Sequence, residues 1–314
     1  MDRKESILRK TWVVCLLAMV CCLLWGSAFP CVKVGYRLFE VGEADTAAQI
    51  LFAGIRFMIA GVLVVIFGSL MKGKFLRPRR ASLPKIGKIC LLQTVIQYFF
   101  FYVGLAHTTG VRGAIVEASN VFLAILVSSL FFRMEKLDGK KMTGCLIGFA
   151  GVVLINLSGG NVDMRFNLLG DGFVFISAFA YALSSVLIKR YSETEDPVMI
   201  SGYQFLAGGL IMTAGAFLAG GRLGAFTPAG GALLLYMAFI SAAAYTIWGI
   251  LLKYNPVSKV TVFGFSNPVF GVLLSALILG EGSAFGWQGI VSLVLVSVGI
   301  FVVNYGGNVE QKEA

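Results

Sequence analysis

Residues 23–37, LLWGSAFPCVKVGYR, lie inside an apolar run that has the length and composition of a membrane-spanning helix. A proline inside a helix removes one N–H group, so Pro30 leaves the carbonyl of Gly26 without a partner, at a cost of about 3 kcal/mol. The glycine and the neighbouring Ser27 can satisfy the freed backbone or offer it to a ligand. The stretch therefore predicts a kinked helix that faces a polar interior, although a kink used only for packing is the alternative.

The composition indicates that lipid is the solvent. The chain has 314 residues, of which 58% are hydrophobic and only 13% charged, and its mean hydropathy is +0.85. Alternating ten-residue β patterns are absent, so helices are expected to satisfy the backbone. We predict an all-α integral membrane protein with ten transmembrane helices, at about 12–35, 47–70, 86–105, 113–132, 142–157, 168–188, 198–219, 232–252, 257–279 and 285–303.

The net charge of +10 would suggest nucleic acid as a partner for a soluble protein, but its distribution has another explanation. If the N-terminus lies inside, 20 of the 26 lysines and arginines fall in inner segments and four in outer ones. This asymmetry follows the positive-inside rule. We expect a multi-pass protein of the cell membrane with both termini cytoplasmic, the lipid bilayer as its surroundings and no nucleic-acid partner.

Weak internal similarity falls in the same order in both halves of the chain. WGSAFPCVK (25–33) resembles YALSSVLIK (181–189), IRF (55–57) resembles YQF (203–205), and GVVLIN (151–156) resembles GIFVVN (299–304). Glu135 and Glu281 end corresponding spans, and all four offsets lie between 146 and 156 residues. Because five spans are an odd number, the second half must enter the membrane from the opposite side. We predict a cytoplasmic segment (1–11), a five-helix repeat (12–157), an extracytoplasmic connector (158–167), an inverted five-helix repeat (168–305) and a cytoplasmic tail (306–314).

Several motifs resemble the EamA family of the drug/metabolite transporter superfamily. They are LLWGSAFP (23–30), the second span with its Arg56, LLGD (168–171) and LILGE (277–281), together with the plan of five plus five spans. The resemblance implies ten helices around a central cavity and the movement of small metabolites, often outward. Two positions depart from the family pattern: FFRME (131–135) replaces the usual LGE, and Glu117 stands where an apolar residue is common.

Polar and aromatic side chains recur at helical spacing on several spans, which predicts the faces that turn inward. Such stripes either line a cavity or hold helices together. On the first interpretation the substrate-binding residues are Trp25, Ser27, Gln97, Tyr102, Asn120, Tyr181, Ser185, Tyr245, Trp248 and Asn267. Pro30 and Pro268, the two prolines deep in spans, are predicted hinges.

Three charged residues fall within the predicted spans. Lys33 is about one turn from the outer surface, which its side chain can reach. Arg56 lies about 13 Å inside its span, so we expect it to pair with a carbonyl or a carboxylate, in either a structural or a substrate role. Glu117 is a candidate for proton coupling, with a structural ion pair or a water-facing acid as the alternatives.

The residues for an enzyme are missing from the pattern. A single histidine and six scattered cysteines supply neither a nucleophile with its base nor a metal site, so we expect no catalytic residues, no metal and no cofactor. We predict a secondary transporter for a small amphiphilic solute, such as an amino acid, which works by alternating access and exports its substrate. The alternative is a membrane scaffold or sensor that transports nothing. The pattern leaves the substrate, the coupling ion and the oligomeric state open.

Overall fold

The computed structural model describes residues 3–42, 45–108, 110–157, 167–279 and 287–306, which contain ten helical spans and no strand. Ten spans were predicted, and their bounds lie within six residues of the expected ones, the largest difference being at the start of the third span. Glu281, most of the predicted connector 158–167 and the tail after residue 306 lie outside the described residues. The spans, numbered first to tenth, are Thr11–Leu38, Thr46–Lys72, Arg80–Leu105, Arg112–Phe131, Gly139–Leu157, Leu168–Tyr191, Pro197–Leu218, Pro228–Tyr254, Val257–Ile278 and Trp287–Tyr305. A short helix, Arg3–Arg9, precedes them.

Short polar side chains fix the starts of several spans. Asp45 accepts a hydrogen bond from the backbone of Ala48 before the second span, and Asp196 accepts one from Val198 before the seventh. Each satisfies an N–H group that the first helical turn leaves without a partner. The second span ends at Gly73, whose φ of 61° is the left-handed conformation that glycine adopts without strain.

Glycines bring the second and seventh spans into backbone contact. A Cβ atom added to Gly54 would lie 3.1 Å from the carbonyl of Gly209, and one added to Gly61 would lie 2.8 Å from the carbonyl of Gly202. The backbone nitrogens of Thr213 and Leu206 would lie closer still, at 2.7 Å and 2.6 Å, so a larger residue at either position would push the helices apart. Adding 148 to Gly54 and Gly61 gives Gly202 and Gly209, so the two contacts are exchanged by the offset found in the sequence.

The fifth and tenth spans meet in the same way. A Cβ atom on Gly299 would lie 2.6 Å from the carbonyl of Gly144, and one on Gly151 would lie 2.9 Å from the carbonyl of Ser292. The shift of 148 residues exchanges these two contacts as well. Small residues permit such close helix crossings in membranes, where packing rather than water exclusion drives association.

Several spans depart from regular α-helix. In the third span a π-helical segment, Cys90–Ile96, precedes Gln97, and in the ninth a 3₁₀ segment, Val262–Phe265, precedes the helix Ser266–Leu279. Pro268 therefore stands in the first turn of a helix, where its missing N–H costs little, rather than in a helix interior. The helix break lies just before this proline.

Pro30, by contrast, lies buried inside the unbroken helix Thr11–Leu38. Beside it, the first and ninth spans interlock: a Cβ atom on Gly26 would lie 2.5 Å from that of Phe270, and one on Gly271 would lie 2.8 Å from the ring of Phe29. Gly26 thus permits close packing as well as standing before the proline. The two spans that carry the unusual prolines are therefore packed against each other.

The outer surface of the bundle is apolar. Large side chains such as Leu70, Phe217 and Leu218 are more than two-thirds exposed on spans that a soluble protein would bury. Trp12 and Trp287, at the ends of the first and tenth spans, are also exposed, as expected for residues at a membrane interface. The chain is a multi-pass membrane protein.

Candidate functional site

Six aromatic residues from five spans form one connected group, which we call the aromatic cluster. Its members come from both halves of the chain and are Trp25, Phe57, Tyr98, Phe205, Tyr245 and Trp248. Five of them line the interface between the first, second, seventh and eighth spans, and Tyr98 adds the third. A cluster of this kind offers a large apolar surface with a few polar edges, the composition typical of small-molecule sites.

The two tryptophans and Tyr245 form one side of the cluster. The ring of Trp25 lies 5.1 Å from that of Tyr245 and 5.0 Å from that of Trp248, both in edge-to-face geometry. Trp248 is only 2% exposed. Neither indole Nε1 has a hydrogen-bond partner among the described residues, although both nitrogens are buried. Buried tryptophan N–H groups usually find an acceptor, so two that lack one make these residues candidates for contact with a ligand.

Phe57 and Phe205 form the other side. Their rings stack 5.2 Å apart with an interplanar angle of 5°. They end the matched motifs IRF and YQF, so equivalent positions of the two halves meet face to face. Tyr98 packs on Phe57 at 4.5 Å, and its hydroxyl lies 2.9 Å from the hydroxyl of Tyr245, which in turn contacts Phe205. Four rings are thus joined in a closed circuit.

Arg56 is buried beside this circuit, and its environment differs from the one predicted. The guanidinium carbon lies 4.5 Å from the ring centre of Phe57 and 5.8 Å from that of Tyr98, and the residue is only 5% exposed. No carboxylate or carbonyl of the described residues pairs with it, and Nε is buried without a hydrogen bond. The predicted pairing of Arg56 with a carbonyl or a carboxylate is therefore not found among the described residues, and cation–π contacts take its place.

The cation–π contacts of Arg56 offset only part of the free-energy cost of placing its charge in a membrane helix. A charged residue in the middle of a membrane helix costs about 2.5–3.5 kcal/mol on insertion scales, and Arg56 lies about 15 Å from the start of its helix. Desolvated cation–π contacts return about 2 kcal/mol. They satisfy the face of the guanidinium but none of its five N–H groups. The described residues therefore leave the N–H groups of Arg56 without an acceptor.

Two glutamines on the third span show the difference between a structural and an available amide. Gln93 donates to Ser184 and accepts from Gln204, which also accepts from Thr94 at 2.6 Å. This buried network joins the third, sixth and seventh spans and leaves little free. Gln97, one turn further along, is also buried, but its Oε1 has no partner. Of the two, Gln97 is therefore the candidate for contact with a ligand.

Glu117 lies on the fourth span, within electrostatic range of Tyr98, which also lies close to Arg56. The Ser177 hydroxyl and the Asn120 amide face its carboxylate, yet the buried Oε2 reaches no hydrogen bond of normal geometry. The structural ion pair, one of the two alternatives for Glu117, is not found among the contacts of the described residues. Arg112 pairs instead with Asp171, which also accepts a hydrogen bond from Thr108 at 2.7 Å.

The other predicted residues divide into two groups. Tyr102 and Tyr181 pack against the aromatic cluster, and Asn267 carries a buried Oδ1 without a partner. Ser27 and Ser185 use their hydroxyl groups on the backbone carbonyls of Leu24 and Tyr181, and Ser27 also lies 3.0 Å from the hydroxyl of Tyr236. These two serines are satisfied within the protein. Lys33 is exposed, as expected of a side chain that reaches the surface.

Comparison with known families identifies the protein class. The family model of the EamA-like transporter family matches residues 12–157 and 168–305, nearly the whole chain. The chain belongs to the EamA-like transporter family. This EamA-like transporter is 25% identical over 300 residues to an uncharacterised transporter of Archaeoglobus fulgidus, covering 94% of this chain and 98% of the relative. It is 28% identical to the uncharacterised inner membrane transporter YedA of Escherichia coli K12, covering 89% of each.

A solved structure, titled only as the crystal structure of a protein, shares the fold. It superimposes on the EamA-like transporter with a TM-score of 0.75 at 19% identity, covering 96% of this chain and 99% of that one. At this identity the likeness concerns the fold alone. The described part of the EamA-like transporter contains no group of histidine, cysteine or acidic side chains that could hold a metal ion. Its six cysteines are free thiols, four of them buried.

One end of the EamA-like transporter is joined by charged contacts that the sequence did not reveal. Glu135 accepts hydrogen bonds from the backbone and the hydroxyl of Ser258 and pairs with Lys141 at 3.2 Å, which links the fourth, fifth and ninth spans. Glu195 pairs with Lys85 at 2.8 Å, and this hydrogen bond holds the pKa of the Glu195 carboxyl below its usual value. Lys72 pairs with Asp196 beside it.

Proposed function

We propose that this EamA-like transporter is a secondary transporter that exports a small amphiphilic metabolite, such as an amino acid, by alternating access. The observation that carries the proposal is the aromatic cluster, with two indole N–H groups, the Gln97 amide oxygen and the Arg56 guanidinium all lacking partners beside it. Buried polar groups without partners are rare in structural cores. They are expected where a ligand supplies the missing bonds.

The proposal includes two inverted repeats that rock against each other. The exchange of glycine contacts between Gly54–Gly209 and Gly61–Gly202 under one 148-residue shift supports a twofold relation, and so does the stack of Phe57 on Phe205. Transporters built in this way bind substrate at the interface of the repeats near the bilayer midplane. The aromatic cluster draws residues from both repeats, which fits that position.

Alternating access also needs one closed end and elements that can bend. We propose that the contacts of Glu135 and Glu195 close the cytoplasmic end, where the positive-inside rule places Lys85 and Lys141. Pro30 and the break before Pro268 lie in two spans that pack against each other. Bending of one span at either position would therefore move the other span. We assign these positions as hinges, and both termini to the cytoplasm.

Coupling to a proton gradient is assigned to Glu117. Its carboxylate forms no ion pair with a described residue, lies in a span beside the Ser177 hydroxyl and the Asn120 amide, and has one buried oxygen without a hydrogen bond of normal geometry. An ionisable residue in this setting is a functional site by default. Proton binding on one side and release on the other would tie the movement of substrate to the gradient.

The test compares the metabolites released by cells that produce the transporter with those released by cells that do not. We expect at least one small amphiphilic solute to accumulate outside only when the transporter is present. Trp25→Ala, made in the aromatic cluster, should reduce this accumulation at least tenfold at equal amounts in the membrane, whereas Trp12→Ala, made at an exposed span end, should leave it within twofold. Identical profiles with and without the transporter would contradict the proposal.

The orientation is tested with single cysteines. One placed at the exposed Arg222 should react with a membrane-impermeant maleimide added outside, and one at the exposed Lys140 should react only after permeabilisation. Labelling of the second position from outside would reverse the assignment of the termini.

A further inference from the structure

We infer that Arg56 binds the anionic group of the substrate, so that the transported solutes carry a carboxylate or a similarly compact anion. This inference rests on the proposed function and narrows its substrate class. The aromatic cluster would hold the apolar body of the same solute. Three observations about Arg56 carry the inference.

The first observation is the lack of a counter-ion. Arg56 is 5% exposed, yet it makes no ion pair and no hydrogen bond with any described residue. The arginine at the outer end, Arg112, shows the usual arrangement, since it is paired with Asp171. A buried charge is normally paired, and an unpaired one marks a place where charge arrives with a ligand.

The second observation is the position of the N–H groups of Arg56 that have no acceptor. The rings of Phe57 and Tyr98 cover the face of the guanidinium and contribute no acceptor for its N–H groups in the plane. Nε is buried without a hydrogen bond, and the edge of the guanidinium that carries the two terminal nitrogens forms no hydrogen bond with a described residue. Two parallel N–H groups at that edge match the two oxygens of a carboxylate.

The third observation concerns the side chains that surround the Arg56 guanidinium. The three phenols in electrostatic range of Arg56, namely Tyr36, Tyr98 and Tyr245, are neutral groups that can donate to or accept from a ligand without cancelling the cation. The hydroxyl of Tyr36 is buried and makes no hydrogen bond of normal geometry, although Tyr102 faces it. Glu117 is also in electrostatic range of Tyr98, and it forms no ion pair with Arg56 among the described residues. The site therefore retains a positive charge for an anion.

A purely structural arginine would behave differently from a substrate-binding one. Its loss would slow the export of every solute alike, whatever the charge of the solute. A binding role predicts a selectivity by charge, and a lysine in its place should keep part of that selectivity because it retains the cation but not the paired donors.

The experiment uses the full chain in cells and an untargeted comparison of released metabolites. The variants are Arg56→Gln, Arg56→Lys and, as the matched loss of one positive charge, Arg222→Gln in an exposed outer loop. We expect every solute whose release depends on the wild-type transporter to carry an anionic group at neutral pH. Arg56→Gln should reduce their release at least tenfold, Arg56→Lys should reduce it less, and Arg222→Gln should change it less than twofold at equal amounts in the membrane.

Transporter-dependent release of solutes without an anionic group would overturn the inference while leaving the transport proposal intact. Unchanged release of anionic solutes by Arg56→Gln would also overturn it. If Arg56→Gln fails to reach the membrane, the charge of the solutes released by the wild-type protein decides alone. The absence of any transporter-dependent solute would overturn the transport proposal and, with it, the anion site.

Discussion

The contact between the second and seventh spans predicts that two glycines on one helix respond in opposite directions to the same substitution. In Gly209→Ala the added Cβ would lie 2.5 Å from the backbone nitrogen of Met58 and 2.7 Å from the carbonyl of Gly54. These atoms belong to a helix backbone and do not rotate away. In Gly215→Ala, six residues further along the same helix, the added Cβ meets nothing within 4 Å.

The magnitude follows from two opposing effects. Alanine is favoured over glycine in a helix by about 1 kcal/mol, and this gain applies to both variants. Overpacking a tight contact costs about 1–3 kcal/mol, and this loss applies only at Gly209. The helix preference therefore cancels in the difference, and the free energies of unfolding should differ by about 1–3 kcal/mol, which is about 5-fold to 150-fold in the unfolded fraction.

The assay is equilibrium unfolding of the purified variants in mixed micelles, followed by helical circular dichroism. Gly215→Ala should be as stable as the wild type or more stable, and Gly209→Ala should be less stable. Gly61→Ala, the symmetry equivalent of Gly209→Ala, should be destabilised by a similar amount because its added Cβ would lie 2.6 Å from the backbone nitrogen of Leu206. Equal stability of Gly209→Ala and Gly215→Ala would refute the close crossing of the two spans.

Three further predictions concern movement. Pro30→Ala and Pro268→Ala should reach the membrane in normal amounts but slow the release of the transported solute, and normal rates in both would reduce these prolines to packing residues. Glu117→Gln, which mimics the protonated acid, should abolish the pH dependence of net export while solute exchange continues; an unchanged pH dependence would eliminate proton coupling at this residue. Glu135→Gln removes the charge that Lys141 pairs with, so it should open the cytoplasmic end and increase the labelling of internal cysteines from that side, and unchanged labelling would count against a gate there.

The ten helices could be predicted because their cause is local. Each span is a run of apolar residues long enough to cross the hydrocarbon layer. The fifth span, predicted at 142–157, is three residues longer in the structure, Gly139–Leu157. Helical spacing also selected residues that pack at the site, such as Trp25, Tyr245 and Trp248. Large aromatic residues on an inward stripe meet one another because several helices turn that stripe toward a common interior.

The contacts between spans could not be predicted in the same way. The stacking of Phe57 on Phe205 depends on how two helices that are distant in sequence cross each other. Both residues lie in the matched motifs, but neither carries a polar group, so neither was predicted as a site residue. The contacts of Arg56 could be found only in the structure. An arginine in a span needs a stabilising partner, but the sequence does not say whether aromatic rings or a carboxylate provide that partner. The sequence pattern indicates Glu135 as the end of a span and as part of FFRME, but it does not indicate the partner Ser258, which is 123 residues away.

Sequence spacing also cannot tell a satisfied hydroxyl from an available one. Ser27 and Ser185 lie on the predicted stripes, but each bonds to a carbonyl three or four residues earlier on its own helix. Serine commonly makes this bond in membrane helices. The distinction between Gln93 and Gln97 is of the same kind, since only the structure shows that the first is fully engaged by its neighbours.

Access to the aromatic cluster from both sides of the membrane is the most direct test of the central claim. A single cysteine in place of Gln97, in a chain whose six native cysteines have been replaced, would be treated with a membrane-impermeant maleimide from outside in cells and from inside in inverted vesicles. Alternating access predicts labelling from each side, because the same position opens in turn to both. Labelling from one side only, at a rate that no solute or pH gradient alters, would contradict the account and indicate a fixed scaffold.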